Sequence, residues 1–287
     1  LTDFTDQTAE LGWFVLNDNV MGGRSEGGFT IAGGTLSFRG RTNTNGGGFS
    51  SIRTGPLTLD VAKQQGIRLR VRGDGRRYTW RLSTDVQWRG RALGFWAVFD
   101  TRPGEWMSIE LPFERFIPRF RGQVLDGPTL DPAKISGMGL MIYDGRDGAF
   151  TFELDRVSSY PARPPFSLDA LRWNKRVLVL NTSSHLDERY SRQREELTSA
   201  RSSSEERDIV VIELSNDGLS TLGERTLTRD EVSKIRAGLD LDATRFAFVL
   251  VGKDGSVKLR RDAVTPLRDV HALIDTMPMR QHEMSGK

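Results

Sequence analysis

The stretch Ile67-Arg68-Leu69-Arg70-Val71-Arg72 alternates aliphatic residues with arginines. Because successive side chains of a β-strand point to opposite faces, this pattern predicts a strand with one face in a core and the other in water. Further runs with a period of two, or rich in β-branched and aromatic residues, lie between glycine-containing turns: Thr35 to Arg39, Tyr78 to Leu82, Gly94 to Phe99 and Met107 to Leu111. Many short strands of this kind predict an all-β sandwich or jelly roll.

Composition changes at the proline-dense segment Tyr160-Pro161-Ala162-Arg163-Pro164-Pro165. Most of the 30 glycines and all but one of the 6 tryptophans precede this segment. The part of the chain before it also carries the whole net charge of +3. Proline-rich segments favour extended backbone and act as semi-rigid spacers, and a chain of 287 residues is long enough for two domains. We therefore predict a sandwich domain over residues 1–160, a linker over 161–166 and a second domain over 167–287.

The second half follows the pattern of an α/β domain. A β-α-β unit is predicted first, then a helix with capping-box spacing, a hairpin with an Asp-Gly turn, and a last helix that Pro278 ends. The predicted elements are a strand at Arg176 to Asn181, a helix at Leu186 to Ala200, a strand at Asp208 to Leu214, a helix opening at Thr228 to Glu231, a hairpin at Phe246 to Val251 and Ser256 to Leu259, and a helix at Pro266 to Thr276.

One paired motif in the first half resembles a known family. Trp13-Phe14-Val15-Leu16-Asn17-Asp18-Asn19-Val20-Met21-Gly22-Gly23-Arg24-Ser25, followed by Gly46-Gly47-Gly48-Phe49-Ser50-Ser51-Ile52-Arg53, is similar to the motif of the CIA30 family, named for complex I intermediate-associated protein. The resemblance implies a galactose-binding-like jelly roll and a role in assembling or stabilising respiratory or photosynthetic membrane complexes. It does not imply an enzyme.

The motif residues have two interpretations. Their short polar side chains and glycines can simply fix a turn, or the loop can form a recognition surface for a partner chain or a sugar. The candidate interaction residues are Trp13, Asn17, Asp18, Met21, Gly22, Gly23, Ser25, Phe49 and Arg53.

The second half also carries a resemblance. Gly252-Lys253-Asp254-Gly255 with Ile274 to Gln281 is similar to the DUF4174 family, which has no assigned activity, and the order of elements resembles a thioredoxin fold. The position of the thioredoxin dithiol is held by Ser183, Ser184 and His185. A serine is not a redox group, and no carboxylate lies at a fixed short spacing to orient His185 as a base. The pattern therefore favours a polar helix cap over a catalytic Ser/His pair.

Composition excludes several functions and sites. A chain without cysteine forms no disulfide, thiolate zinc site, iron–sulfur cluster or dithiol redox centre. No basic stripe indicates nucleic-acid binding, no apolar run reaches the roughly 20 residues of a transmembrane helix, and no cofactor motif is present. Asp144, Asp147 and Asp155 are weak candidates for a calcium site, with turn formation favoured. The arginine-rich runs Arg68 to Arg77 and Arg115 to Arg121 can face phosphates or acidic lipids, with solvated strand faces favoured.

Three functional classes remain. The favoured one is a non-catalytic structural subunit or assembly factor of a photosynthetic or respiratory electron-transport complex, with subunits of that complex as partners and no nucleic acid. The alternative is a carbohydrate-binding module, which requires at least two exposed tryptophans on one face among Trp13, Trp80, Trp88, Trp96 and Trp106. An enzyme would require a carboxylate pair about 5 to 10 Å apart in one cleft, with Asp85 and Asp100 or Asp144 and Glu153 as candidates.

The sequence also suggests a location. It begins at Leu1 rather than at a methionine, as it would after removal of an export signal. We therefore expect a bacterial, exported, periplasmic protein that lies peripherally on its membrane complex.

Overall fold

The computed structural model describes residues 1–5 and 11–285, except for the side chains of Val20 and Met21. The chain divides into two compact units, Leu1–Arg163 and Pro164–Lys287. None of the helices in the described ranges is both long enough and apolar enough to cross a lipid bilayer.

The first unit is built from antiparallel strands. In chain order they are β1 (Phe14–Asn17), β2 (Glu26–Ala32), β3 (Thr35–Thr42), β4 (Ser50–Arg53), β5 (Gln64–Arg72), β6 (Arg77–Trp88), β7 (Arg91–Asp100), β8 (Trp106–Pro112), β9 (Ile117–Phe120), β10 (Gln123–Val124), β11 (Gly137–Ile142) and β12 (Gly148–Pro161). The larger sheet has the spatial order β1-β4-β11-β6-β7-β9-β10, and the smaller has the order β2-β3-β12-β5-β8. Short 3₁₀ turns lie at Asp18–Met21, Phe113–Arg115 and Pro132–Lys134.

The two sheets pack face to face around an aromatic and aliphatic core. Tyr78 on β6 and Phe152 on β12 are fully buried, and their ring centroids lie 4.5 Å apart across the two sheets. On β5 the aliphatic residues of the alternating stretch are fully buried, whereas its arginines point outward. The predicted all-β sandwich is therefore confirmed.

The second unit has a mixed sheet with helices on both faces. Its strands are β13 (Arg176–Thr182), β14 (Ile209–Ser215), β15 (Thr221–Leu222), β16 (Arg225–Thr226), β17 (Ala247–Val251) and β18 (Val257–Arg261), in the spatial order β16-β15-β14-β13-β17-β18. Its helices are α1 (Glu188–Ser199), α2 (Arg201–Glu205), α3 (Arg229–Gly238), α4 (Leu267–Asp275) and α5 (Pro278–Ser285), and a 3₁₀ turn lies at Leu168–Leu171. β13 pairs in parallel with β14 and antiparallel with β17.

The central strand β13 contributes side chains to a hydrophobic core on each side of the sheet. Val177 and Val179 pack in the cluster that contains residues of α3, and Leu178 and Leu180 pack in the cluster that contains residues of α1 and α4. All four are buried. A strand buried on both faces needs apolar residues at consecutive positions, as this run has.

Several predictions for the second unit are refined by the structure. Thr228 and Glu231 form the predicted capping box of α3. The predicted helix at Pro266 to Thr276 is α4, which ends at Asp275, but it is not the last helix, because Pro278 begins a further helix, α5. Proline is accommodated there because the first turn of a helix needs no amide donor from it. The hairpin of β15 and β16 was not predicted, because two-residue strands carry no measurable periodicity.

The proline-dense segment is shorter in the structure than its composition suggests. Pro161 is the last residue of β12, and Phe166 is buried in the core of the second unit. Residues 162–165 lie between these two points without helix or strand.

Candidate functional site

The carboxylate of Asp18 joins the two halves of the paired motif. Its Oδ1 accepts a hydrogen bond from the Ser25 amide at 2.8 Å, and its Oδ2 accepts one from the Ser25 hydroxyl at 2.6 Å. Oδ2 also accepts bonds from the amides of Gly48 at 2.6 Å and Phe49 at 3.2 Å. Because Asp18 is fully buried, these donors replace the water that a carboxylate would otherwise bind. Burial by itself would raise the pKa of Asp18, but the hydrogen bonds from Ser25, Gly48 and Phe49 outweigh it and lower the pKa.

Glycines of the motif leave room for this carboxylate. A Cβ at Gly23 would lie 2.5 Å from Asp18 Oδ1, and a Cβ at Gly47 would lie 2.7 Å from Asp18 Cγ. Gly22 ends the 3₁₀ turn with a φ of 87°, in the left-handed region that favours glycine. The glycines are therefore needed for close approach and for the turn.

Asn17 ties the same loop to its neighbours. Its Nδ2 donates to the Gly27 carbonyl at 3.2 Å, and its Oδ1 accepts a bond from the Ser50 hydroxyl at 2.6 Å. The polar side chains of the motif thus bond to the protein itself. We name Asn17, Asp18, Gly22, Gly23 and Ser25 the Asp18 lock. The side chain of Met21 lies outside the described part of the structure.

The remaining residues of the motif lead to the outer face of the larger sheet. There Phe14, Arg53, Gly139, Arg81 and Trp96 lie directly opposite one another on β1, β4, β11, β6 and β7. We name these residues the arginine row. Because Gly139 has no side chain, the stem of Arg53 crosses it, and a Cβ at residue 139 would lie 3.2 Å from Arg53 Cγ.

Trp96 lies between two guanidinium groups at one end of the row. The Arg81 guanidinium carbon is 4.9 Å from the indole centroid, and that of Arg119 is 5.4 Å away. Tyr143 meets the indole edge-on at a centroid distance of 6.5 Å, and Phe49 of the motif meets Tyr143 at 6.3 Å. The motif therefore contributes both to the Asp18 lock and to this aromatic and cationic surface.

The electrostatics of the row are unusual for a strand face. Burial, followed by the nearby Arg53 guanidinium, lowers the pKa of Arg81 to about 9, and burial lowers the pKa of Arg53. In the part of the chain that the structure describes, neither guanidinium has a carboxylate partner. The buried Nε atoms of both arginines and the indole Nε1 of Trp96 have no hydrogen-bond acceptor there.

The tryptophans do not form an exposed platform for sugar rings. Trp80 is fully buried, and Trp13 packs against it at a centroid distance of 6.5 Å. Trp106 is covered by the guanidinium groups of Arg70 and Arg72. Trp88 and Trp96 are half-buried. The carbohydrate-binding alternative requires at least two exposed tryptophans on one face, and the described residues do not provide them.

The acidic candidates are engaged with other groups and do not converge. No group of acidic and histidine side chains that could hold a metal ion occurs within residues 1–5 and 11–285, so Asp144, Asp147 and Asp155 do not form the calcium site considered above. Their contacts, and those of the carboxylates considered for catalysis, are Asp144 with Arg76, Asp147 with the Thr44 amide, Asp155 with Arg70, Asp85 with Lys134, Asp100 with Arg77, and Glu153 with Arg72.

The same contacts neutralise the first arginine-rich run. Every arginine from Arg68 to Arg77 has a carboxylate partner, including Arg68, which pairs with Glu110 at 2.7 Å. In the second run, Arg119 stacks on Trp96 and donates to the Gly122 carbonyl at 2.7 Å. Within the described residues, the first run is therefore neutralised, whereas Arg53 and Arg81 of the arginine row have no carboxylate partner.

The second unit places a carboxylate next to His185 that the sequence spacing did not reveal. Asp217 Oδ2 lies 2.6 Å from His185 Nδ1 and accepts a bond from the Ser184 hydroxyl at 2.9 Å. Asp217 follows β14, whose carboxyl end lies beside that of β13, so the two loops meet at one edge of the sheet. Ser184 and His185 share this carboxylate and make no hydrogen bond to each other. The cap of α1 is Asp187 rather than Ser183 or Ser184.

Sequence reasoning missed Arg81, Gly139, Tyr143 and Asp217. Arg81 lies in a run that alternates like any half-buried strand, and only the pairing of β4, β11 and β6 brings it beside Arg53. Asp217 lies in the sequence Asn216-Asp217-Gly218, which is typical of a turn and does not indicate a histidine partner.

The chain is similar to known families and proteins. The model of the family described as Complex I intermediate-associated protein 30 (CIA30) matches residues 2–154, and that of a domain of unknown function (DUF4174) matches residues 167–283. Complex I intermediate-associated protein 30, mitochondrial, of Mus musculus is 32% identical over 171 residues, which are 52% of this chain and 52% of the mouse protein. The chain thus spans about half the length of this curated relative.

Solved structures with some similarity include two carbohydrate-binding modules. The Family 11 Carbohydrate-Binding Module from Clostridium thermocellum in complex with a beta-1,3-1,4-mixed-linked tetrasaccharide aligns with a TM-score of 0.42 at 18% identity, covering 56% of this chain and 94% of that one. The Family 11 module of the cellulosomal cellulase Lic26A-Cel5E of Clostridium thermocellum aligns with a TM-score of 0.43 at 18% identity, covering 58% and 96%.

Proposed function

This chain belongs to the CIA30 family, and we propose that it is a non-catalytic structural subunit or assembly factor that binds a membrane-bound electron-transport complex, respiratory or photosynthetic. The observation that carries the proposal is the arginine row. Protein interfaces are enriched in arginine and aromatic residues, and a few such residues dominate the binding energy. The row supplies both residue types on one sheet face; Phe14 at its end is 47% exposed, and Tyr143, which contacts Trp96, is 48% exposed.

The Asp18 lock supports a binding role over a catalytic one. Its polar groups are buried and bonded to backbone amides and hydroxyls of the same chain, so they position β1 and β4 instead of facing a substrate. The lock thereby fixes the two strands that carry Phe14 and Arg53. A rigid scaffold of this kind suits a surface that has to match a partner.

For the second unit we propose a thioredoxin-like fold that has lost its redox function. The order of β14, β13, β17 and β18, with β17 antiparallel to β13, supports this proposal. At the position where a dithiol would lie, Ser184 and His185 bond to Asp217. The unit then serves as a second docking module. We further propose that the protein is exported and lies peripherally on its complex.

A pull-down from membranes of the source organism tests this proposal. The full chain, tagged and expressed in its own cells, is purified in mild detergent, passed through a sizing column, and the bound proteins are identified by mass spectrometry. We expect stoichiometric recovery of subunits of one respiratory or photosynthetic complex.

A matched variant pair makes the pull-down specific. Arg53→Gln with Arg81→Gln removes two charges from the arginine row, and Arg70→Gln with Arg72→Gln removes two from the opposite sheet. We expect the first pair to lose the complex and the second to retain it. Recovery of the wild-type protein only as a free monomer would contradict the proposed function, and a glycan array would then test the carbohydrate alternative.

A further inference from the structure

Arg53 and Arg81 of the arginine row lack the compensation that the buried Arg76 receives. The Arg76 guanidinium donates to both oxygens of Asp144, to the Thr42 hydroxyl and to backbone carbonyls. Arg53 and Arg81 have no carboxylate partner among the described residues, and their buried Nε atoms donate to nothing. A charge partly removed from water is costly without a partner. The Nε atoms are covered, but the terminal guanidinium nitrogens of Arg53 and Arg81 are not among the buried, unpaired atoms, so these nitrogens can meet a ligand that supplies acceptors.

The guanidinium groups of Arg53 and Arg81 are neighbours on the outer face of the sheet, close enough that burial and the Arg53 charge together lower the pKa of Arg81. A Cβ at Gly94 would lie 2.9 Å from Trp96 Nε1 and 3.0 Å from Arg81 Nη2, so both groups lie directly over this glycine. The stem of Arg53 lies over Gly139, which is on the strand between Arg53 and Arg81. The terminal nitrogens of two neighbouring guanidinium groups can together bind an anionic group that accepts several hydrogen bonds.

We propose that the arginine row binds a carboxylate of the partner protein, carried by an acidic side chain or a chain terminus. This inference rests on the proposed function and defines the chemistry of the partner. Arginine forks match the planar, two-oxygen geometry of a carboxylate and bind it bidentately. Phe14 and Tyr143 at the margins supply apolar contact to the peptide that carries it.

A membrane phosphate fits the same charge less well. Attraction to anionic lipids works through protruding lysines and arginines at a broad surface, whereas Arg53 and Arg81 lie along the sheet and are half-buried. Arg81 is in addition held flat against the Trp96 ring. A single side chain projecting from a protein can reach groups in this position, but a flat bilayer surface cannot.

Indole NMR of the full chain tests the inference directly. The protein is labelled with ¹⁵N at its tryptophans, the signal of Trp96 is assigned with Trp96→Phe, and hexaglutamate peptide is titrated in. We expect the Trp96 indole N–H signal to shift saturably, because it lies next to the Arg81 guanidinium. The Arg53→Gln, Arg81→Gln double variant should weaken binding at least about tenfold, since charge-assisted bonds are lost. The Arg70→Gln, Arg72→Gln variant should bind like wild type.

Further arms separate the competing explanations. Phosphatidylglycerol vesicles should leave the Trp96 signal unchanged, and a shift with vesicles would overturn the assignment to a protein carboxylate. Absence of a shift with hexaglutamate would overturn it as well. Thermal unfolding checks the fold of the double variant, whose melting temperature should be no lower than wild type because the removed charges are unpaired. If unfolding shows that this variant is destabilised, the Arg53→Lys, Arg81→Lys pair replaces it and should also bind more weakly, because lysine lacks the fork.

The outcomes also distinguish this inference from the proposed function. A Trp96 shift together with an empty pull-down would leave the carboxylate site standing and remove the electron-transport partner. A pull-down that retains the complex with Arg53→Gln and Arg81→Gln would leave the docking function standing and remove the carboxylate site.

Discussion

Asp18 and Arg81 are both charged residues removed from water, but their surroundings differ. Asp18 accepts four hydrogen bonds from Ser25, Gly48 and Phe49, so its charge is compensated within the fold. Arg81 faces Arg53 and an aromatic ring, without an acceptor in the described residues. Compensation within the chain indicates a structural role for Asp18, and we interpret its absence at Arg81 as a role in binding.

Asp18→Asn is expected to destabilise the sandwich at neutral pH by about 2 to 3 kcal/mol, because an amide group cannot accept all of the bonds that the carboxylate accepts. The pKa of Asp18 is lower in the folded than in the unfolded protein. Its stabilisation is therefore fully present above the unfolded value, near pH 4, and is lost as the pH falls through the folded pKa. Urea unfolding between pH 7 and pH 2 measures the free energy of unfolding of both proteins. We expect the difference between Asp18→Asn and wild type to become smaller as the pH falls.

Asp60→Asn provides the control for this prediction. Asp60 is exposed and accepts one bond, from the Ala62 amide at 3.0 Å, so its substitution should change stability by less than about 0.5 kcal/mol at any pH. A wild-type stability for Asp18→Asn at pH 7 would contradict the structural role of the lock.

At the scale of elements, the lock explains why glycines recur in the paired motif. β1 and β4 are short, each with four residues, and they pair over their whole length. The loops that precede β4 and follow β1 are fastened to each other by Asp18. Short strands contribute few hydrogen bonds of their own, so the loops hold them in register.

Gly23→Ala tests this account of the loop. A Cβ at residue 23 overlaps the Asp18 carboxylate, so we expect a loss of about 2 kcal/mol or more through overpacking and broken hydrogen bonds. Gly28→Ala is the matched control, because a Cβ at residue 28 meets nothing within 4 Å and β2 tolerates a side chain there. Equal stability losses in thermal unfolding of the two variants would contradict the account.

At the scale of the whole molecule, each unit contains its own core and its own network of charges. In the second unit, α5 is tied to the sheet by Glu283, which bonds to Arg176 at 3.1 Å and Lys253 at 2.7 Å. Arg176 is only 1% exposed. Removing its carboxylate partner leaves a buried charge without full compensation, which is costly.

We therefore expect calorimetry of the full chain to resolve an effect in each unit. Glu283→Gln should lower the free energy of unfolding of the second unit by about 3 kcal/mol, whereas Asp18→Asn should lower the free energy of unfolding of the first unit. Glu188→Gln is the control, because Glu188 is 86% exposed and its pair with Arg192 at 3.6 Å contributes little. If calorimetry shows a single unfolding transition, and Glu283→Gln and Asp18→Asn lower its midpoint temperature equally, this expectation is wrong.

Local patterns predicted five strands of the sandwich, β3 and β5 to β8, and most elements of the second unit. The Asp-Gly turn identified the hairpin of β17 and β18, and capping-box spacing identified the start of α3. These patterns depend on residues close in sequence, which is why they can be read without a structure. Helix α5 is not predicted by these patterns, because a proline can follow the end of one helix or occupy the first turn of another.

The sequence by itself determined the fold of the sandwich, the α/β order of the second half, the family motif and the absence of thiol chemistry. Only the tertiary structure decided which charges are compensated, because Asp18 meets Gly48 and Phe49 some thirty residues away in the chain, and Arg53 meets Arg81 across an intervening strand. It likewise brought Asp217 to His185. Periodicity fixes which face a side chain takes, but strand order and register fix its neighbours, and the neighbours determine whether a charge holds the fold together or is left to bind a partner.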